Sequence, residues 1–396
     1  MLRRMGNVAS TSRKAAASIA LVTETWPPEI NGVAMTLSRL ALGLQARDWQ
    51  VALVRPRQSS SHITDVHEHL LVPGLPIPGY AGLRFGLPVR TTLFHRWSLQ
   101  RPDVVHIATQ GPLGWAALKT AQQLALPVTT SFHTNFHRYC RHYGLSWSRR
   151  LVERYLRQFH NQASCTMTPS ESVSQTLRQE GYRNVFTVGR GIDTTLFNPD
   201  CRSQELRAAW GAAQHDLVVL HVGRIAAEKN LQGVVDAFER IVTLRPSAKM
   251  LWVGDGPMLN SMRERYPQHI FVGAKRDEEL SAHYASADIF LFPSLTETFG
   301  NVVLEAMASG LVVLAYRYAA AETHIRHGEC GLLAPFGDVQ AFNRQAASLA
   351  TNPEQIAPMG RAAREALENQ HWETVCEQFE SLLNAAVKGD LLCLPA

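Results

Sequence analysis

Cysteine is scarce in this 396-residue chain. The six are Cys140, Cys165, Cys201, Cys330, Cys376 and Cys393; none falls in a Cys-x-x-Cys pair, and no histidine cluster shows zinc spacing. A scaffold stapled by disulfides or zinc is thereby excluded, a reducing compartment is expected, and no structural metal is expected. Long apolar runs are missing as well. No stretch of eighteen apolar residues exists, so no transmembrane helix is predicted. The opening MLRRMGNVASTSRKAAAS is basic but lacks an apolar core, which makes it a poor secretory signal. Residues 1–17 are therefore read as a disordered basic tail, and the protein as cytoplasmic. The dinucleotide fingerprint G-x-G-x-x-G is absent too, which weighs against a nicotinamide or flavin enzyme.

What is present is apolar material in short, regular pieces. Hydrophobic residues make up 45% and charged residues 18%, the proportions of a globular enzyme, and the length predicts two domains. Apolar runs at Ser18–Glu24, Gln50–Val54, Val104–Ile107, Pro127–Phe132 and Cys165–Met167 read as buried strands, and Val33–Ala46 has helical spacing. A polar stretch with Asn198-Pro199-Asp200 follows. The pattern then restarts, with strands at Leu217–Val222, Lys249–Val253, Ile270–Val272, Ile289–Phe292 and Leu311–Ala315 and helices between them. The expected fold class is α/β, two doubly wound domains at 18–197 and 198–370, facing each other across a cleft. The last helix, 371–388, carries an apolar stripe of Trp372, Val375, Phe379, Leu382 and Leu383, and has no strand after it. It is expected to cross back to the first domain. Residues 1–190 hold 22 Lys and Arg against 9 Asp and Glu, while residues 191–396 hold 17 against 25. One domain facing an anionic partner explains that imbalance; surface solubility is the competing reading.

Two segments carry chemistry. In PSLTETFGNVVLEAMA, residues 293–308, Glu297 sits in a loop after a strand and Glu305 one turn into the following helix. The amides of Phe299, Gly300, Asn301 and Val302 lie at the helix start, where unpaired N–H groups and the helix dipole suit a diphosphate. Carboxylates beside an anion site repel phosphate but can accept hydrogen bonds from sugar hydroxyls. The plainer reading is a helix-capping acid and a loop carboxylate. In HVGRIAAEKN, residues 221–230, Arg224 and Lys229 follow a strand end, and two cations there can neutralise a diphosphate leaving group. The plainer reading is an exposed basic loop.

The E-x7-E spacing of ETFGNVVLE, followed by AMASG, resembles the hallmark of glycosyltransferase family 4, as does VGRIAAEKN after a strand. TETWPPEINGV, SFHTNFHRY, VGRGIDTTLF and FVGAKRDEELSAHYASADIFLFPS are also similar to family segments, so the likeness covers nearly the whole chain. The combination of TETWPPEINGV, HTNFHRY and YRYAAAETHI resembles bacterial GDP-mannose-dependent α-mannosyltransferases. The resemblance implies the GT-B fold, two facing Rossmann-like domains, and retention of anomeric configuration. By position it implies that Glu297 contacts the transferred sugar and Glu305 the ribose, while Arg224 and Lys229 bind the diphosphate. Gly32 would lie in the loop closing over the donor, His133 at the reaction centre, and Val272 to Lys275 would frame the base. Asp277, Leu311 and Arg190 stand where the family often has glycine, proline and asparagine. The residues alone leave His133 open between a substrate contact and a buried structural role, and do not rank it against His137 and His142.

The expected partners are a nucleotide sugar and a lipid or glycan acceptor, with no metal or other cofactor and no nucleic acid. The segment WSRRLVERYLRQF, residues 147–159, puts Leu151, Val152, Tyr155, Leu156 and Phe159 on one side with arginines at its edges. It reads either as a helix touching an anionic membrane, at the inner face of the cytoplasmic membrane, or as a core-facing helix with a solvated side. Alternatives to GDP-mannose transfer are a UDP-sugar-dependent enzyme of the same fold, a dinucleotide-dependent oxidoreductase, and a non-catalytic sugar-nucleotide binder.

Overall fold

The structure, a computed structural model, describes residues 16–29, 31–57, 66, 68–76, 84–133 and 149–391. Residues 1–15 of the basic tail, together with His137, His142, Trp147 and Ser148, lie outside them. In the first half the strands are β1 (Ser18–Val22), β2 (Gln50–Pro56), β3 (Glu68–Val72), β4 (Gly74–Pro76), β5 (Arg84–Gly86), β6 (Val104–Ile107), β7 (Val128–Ser131), β8 (Cys165–Thr168) and β9 (Val185–Thr187). Seven of these form a parallel sheet in the order β3-β2-β1-β6-β7-β8-β9, and β4 pairs antiparallel with β5. In the second half β10 (Val218–Val222), β11 (Lys249–Val253), β12 (Ile270–Gly273), β13 (Ile289–Phe292), β14 (Val312–Tyr316) and β15 (Leu332–Ala334) form a parallel sheet in the order β12-β11-β10-β13-β14-β15.

Helices cover both faces of each sheet, so central strands such as β10 (VVLHV) are buried at every position. Each sheet starts in the middle, runs outward one way, then crosses over and runs the other. The order reverses between β1 and β6 and between β10 and β13, and at those points the loops diverge and leave a crevice at the carboxyl ends of the strands. Strands β3, β9 and β15 and the β4–β5 pair were not expected from the sequence. They are three to five residues long, β3 and β9 are outermost, and β4 contains Gly74 and Pro76, so none produces a clear apolar run.

The final helix, Trp372–Lys388, returns to the first sheet. Val375, Cys376, Phe379, Leu382, Leu383 and Ala386 join Ile19, Leu37, Leu40, Leu44 and Val51 in one core cluster. The Phe379 ring meets His106 edge-on at 4.9 Å. Helix Gly32–Gln45 lies against it so closely that a Cβ on Gly43 would come 2.2 Å from Cys376 Sγ. At the rim, Trp49 Nε1 donates to Glu380 at 2.9 Å and Arg47 pairs with Glu377 at 3.4 Å. The chain's last helix thus completes the core of its first half.

Candidate active site

Arg224 and Lys229 follow β10, and Glu297 follows β13, so the two motifs meet at the reversal point of the second sheet. Lys229 Nζ donates to Glu297 Oε1 in an ion pair whose side chains are 20% and 13% exposed. Ser294 Oγ donates to the same carboxylate oxygen at 2.8 Å, and Tyr318 OH to the Glu297 carbonyl at 2.6 Å. Asn230, in the left-handed region at φ 52°, donates from Nδ2 to the Pro293 carbonyl at 2.9 Å, and Thr296 Oγ1 donates to the Glu228 carbonyl at 3.1 Å. These bonds sew the two loops into one platform. Burial pushes the Glu297 carboxyl up, but the Lys229 ammonium and the Ser294 hydroxyl outweigh it and hold the pKa below its ordinary value. Glu297 is therefore a carboxylate, an acceptor only. Arg224 Nη1 lies 3.6 Å from Glu228 Oε1, and its side chain is 36% exposed, which leaves it accessible at the sheet edge.

Helix Asn301–Ala308 begins after Gly300, whose φ of 92° suits a residue without Cβ, and no side chain caps that helix start. No side chain therefore occupies its first amides, and of these the Val303 N–H donates to the Gly300 carbonyl at 3.0 Å. Glu305 lies one turn in and accepts a bond from Tyr284 OH at 2.9 Å. Burial pushes its pKa up to about 7. The two carboxylates flanking the helix start differ in kind: Glu297 is fixed as an anion by a cation, Glu305 is poised near neutrality by its apolar surroundings. Beneath them, burial holds the pKa of His221 down at about 4; its Nδ1 faces the Leu291 carbonyl at 3.1 Å.

Other expected residues fall around this centre. Val272 ends in β12, and Lys275 just beyond it pairs with Glu279 at 3.5 Å. Gly32 opens helix Gly32–Gln45, whose start is capped by Asn31 Oδ1 accepting from Val33 and Ala34 at 3.1 and 2.9 Å. A Cβ on Gly32 would lie 3.5 Å from Asn301 Nδ2, so the start of the first half's helix lies close to the start of helix Asn301–Ala308. Arg276 Nη2 also reaches the Pro28 carbonyl at 3.3 Å. His133 follows β7, is buried, and contacts Arg190 Nη2 through Nδ1 at 2.9 Å. Asp277 adopts φ 46°, the left-handed geometry that favours glycine.

Tyr284, Ser294, Tyr318 and His221 were not expected from the sequence as members of the site. Nor was Glu24 expected, a half-buried carboxyl just beyond β1 whose pKa desolvation pushes up to about 7 while the amides of Gly86 and Leu113 pull it down. Ser294 and His221 lie inside the two motif segments; Tyr284 and Tyr318 reach the site through contacts that no local spacing encodes. The helix Arg149–His160 buries Leu156 and Phe159 and leaves Leu151 63% and Tyr155 38% exposed, so the apolar side read from the sequence divides between core and surface. Among the described residues no helix is long and apolar enough to cross a membrane, and no cluster of three metal-binding side chains occurs.

Comparison with known proteins accords with this fold. The family model described as Glycosyl transferases group 1 matches residues 202–366, and Glycosyltransferase Family 4 matches residues 30–196. A GDP-mannose-dependent alpha-mannosyltransferase from Corynebacterium glutamicum is 29% identical over 91% of this chain and 87% of its own. A sulfoquinovosyl transferase from Arabidopsis thaliana is 31% identical over 77% of this chain and 61% of its own. Among solved structures, sucrose-phosphate synthase from Thermosynechococcus elongatus superposes with a TM-score of 0.76 at 20% identity, over 94% of this chain and all of the other. Two facing Rossmann-like sheets with these two sequence signatures define a glycosyltransferase of the GT-B fold. Within that class, the chain belongs to glycosyltransferase family 4.

Proposed function

We propose that this enzyme moves a hexosyl unit, mannose from GDP-mannose, onto a lipid or glycan acceptor with retention at the anomeric carbon. Residues 18–197 form the acceptor side, 198–370 the donor side, and 371–388 the strap between them. The observation that carries the donor site is the Lys229–Glu297 pair, which joins both motifs at the reversal point beside an uncapped helix start. The choice of mannose is supported by the likeness to the Corynebacterium enzyme over nearly the full length of both chains.

In this reading Arg224, Lys229 and the amides of Phe299 to Val302 hold the donor diphosphate. Glu297 accepts hydrogen bonds from the transferred sugar and Glu305 from the ribose, while Val272 and Lys275 frame the base. As the bond from the anomeric carbon to the diphosphate breaks, negative charge moves onto the phosphates, where the cations and amides stabilise it most. The acceptor oxygen bonds to the same face of the sugar, and its proton passes to a donor phosphate oxygen. The products are the glycoside and the nucleoside diphosphate. Exposed Leu151 beside Arg150 and Arg154 favours an acceptor held at an anionic lipid surface.

A thermal-shift panel of GDP-, UDP- and ADP-sugars tests the donor. Ligand at a hundred times its Kd stabilises by about 2.7 kcal/mol, and GDP-mannose is expected to give the largest shift, with slow release of GDP. A UDP-sugar giving the largest shift would replace the donor; binding without any release would favour a non-catalytic binder.

A further inference from the structure

Arg190 is a buried cation with no carboxylate in ion-pair contact among the described residues. It follows β9, where the chain passes from the first half to the second, and its carbonyl accepts from Gln370 Nε2 at 2.6 Å on the returning segment. Its Nη1 donates to the carbonyls of Val188 at 3.2 Å and Gly189 at 2.9 Å. Its Nη2 meets His133 Nδ1 at 2.9 Å, and its guanidinium carbon lies 6.0 Å from the centre of the Phe299 ring in the donor-side loop. One side chain therefore touches the first half's candidate reaction-centre histidine and the second half's phosphate-side loop.

The hydrogen bond to His133 has only one possible direction. A guanidinium carries N–H donors and no acceptor, so Nδ1 must receive the bond with its lone pair. The ring is neutral: burial, and then the neighbouring Arg190 cation, hold its pKa well below the ordinary histidine value. A neutral imidazole whose Nδ1 lacks a proton carries its single N–H on Nε2. That Nε2 is buried and has no hydrogen-bond partner among the described residues. An unpaired buried donor is unfavourable unless a ligand satisfies it.

We infer that Arg190 is a positioning residue that locks His133 in its Nε2–H tautomer, so that His133 offers a hydrogen bond to an oxygen of the bound donor and does not serve as the base. The inference rests on the reading of His133 as a substrate contact. It assigns Arg190 a reason to occupy a position where the family often has asparagine: an amide can flip and present either a donor or an acceptor, whereas a guanidinium presents only donors. It also agrees with the acceptor proton leaving on a phosphate oxygen, since no lone pair on His133 is left to take it.

The test is nitrogen NMR of the full-length protein labelled with 15N-histidine, with the His133 signals assigned from their loss in His133→Asn. The wild type is expected to show an unprotonated Nδ1 and a protonated Nε2 on a neutral ring. A protonated Nδ1, or an imidazolium at neutral pH, overturns the inference without any Arg190 variant. In Arg190→Met the His133 signals should move toward a tautomer mixture, and kcat should fall at least about tenfold with a smaller change in donor KM; unchanged His133 signals refute it. Arg190→Lys, which keeps a donor, should recover part of the loss. Arg190→Met added to His133→Ala should slow the enzyme no further, because Arg190 acts through His133; a full additional loss contradicts the inference. Normal turnover of His133→Ala would instead defeat the substrate-contact reading, while the tautomer measurement would stand on its own.

Discussion

Replacing Glu305 by glutamine is expected to make the protein more stable at alkaline pH and far less active. Glu305 sits among buried apolar residues of its helix, with Tyr284 OH donating to it at 2.9 Å. Burial pushes its pKa from the ordinary 4.5 up to about 7. The folded-state pKa thus exceeds the unfolded one. The neutral acid's contribution to stability is fully present below about 4.5 and is lost as pH rises through about 7. That gap sets a ceiling of about 3 kcal/mol, at about 1.4 kcal/mol per pH unit; the side chain keeps some contact with water, which brings the expected figure to about 2 kcal/mol. Glutamine keeps an acceptor for Tyr284 and never ionises. Urea unfolding followed by circular dichroism at pH 5, 6, 7 and 8 should therefore give a variant about 2 kcal/mol more stable than wild type at pH 8, with the margin shrinking toward pH 5. Glu24, also pushed up to about 7, is present in both proteins and cancels in the difference. If Glu305 accepts from the ribose as proposed, losing its carboxylate should lower kcat/KM by roughly tenfold to a hundredfold. A margin that is absent at pH 8, or the same at every pH, refutes the reasoning.

Other outcomes follow from neighbouring features. Lys229→Met should cut kcat by roughly a hundredfold to a thousandfold, measured as GDP release, because it removes a cation from the leaving group. It should also abolish the stability that the wild type holds at neutral pH and loses as pH falls through the lowered pKa of Glu297. Gly43→Ala should destabilise the protein in thermal unfolding even though alanine favours helix by about 1 kcal/mol, since its Cβ would overlap Cys376. Phe379→Ala should cost about 3–5 kcal/mol, read in the unfolding of the first half. Leu151→Glu should weaken co-sedimentation with anionic liposomes while leaving donor binding intact; equal sedimentation of both proteins would end the membrane reading.

Much of the fold was legible because buried parallel strands are apolar runs, as in LVVLHV and DIFLFPS, and these fall at regular intervals between helical segments. The short and peripheral strands were not legible, because three residues are too few to show a strand's run or alternation, whether half-buried as in β9 or wholly apolar and buried as in β15. The donor motif was legible because Glu297, Gly300 and Glu305 lie on one loop and one helix turn. The environment of each was not. Lys229 and Glu297 are 68 residues apart, Tyr284 and Glu305 21, and His133 and Arg190 57, and only the sheet order brings them together. Arg190 departs in sequence from the family resemblance, but its consequence lies in which nitrogen of His133 it touches. Likewise Asp277 became informative only through its backbone angle, which lies in the left-handed region.

The proposed role of the Lys229–Glu297 platform is to bind a nucleotide sugar for transfer. Titration calorimetry of GDP-mannose into wild type and Glu297→Gln tests it most directly, with GDP release followed in the same samples. Measurable binding and slow release of GDP are expected of the wild type, and loss of release from a variant that keeps its fold by circular dichroism, with a lowered unfolding temperature because Lys229 loses its partner. No binding of any nucleotide sugar to the wild type, or equal release by both proteins, would contradict it.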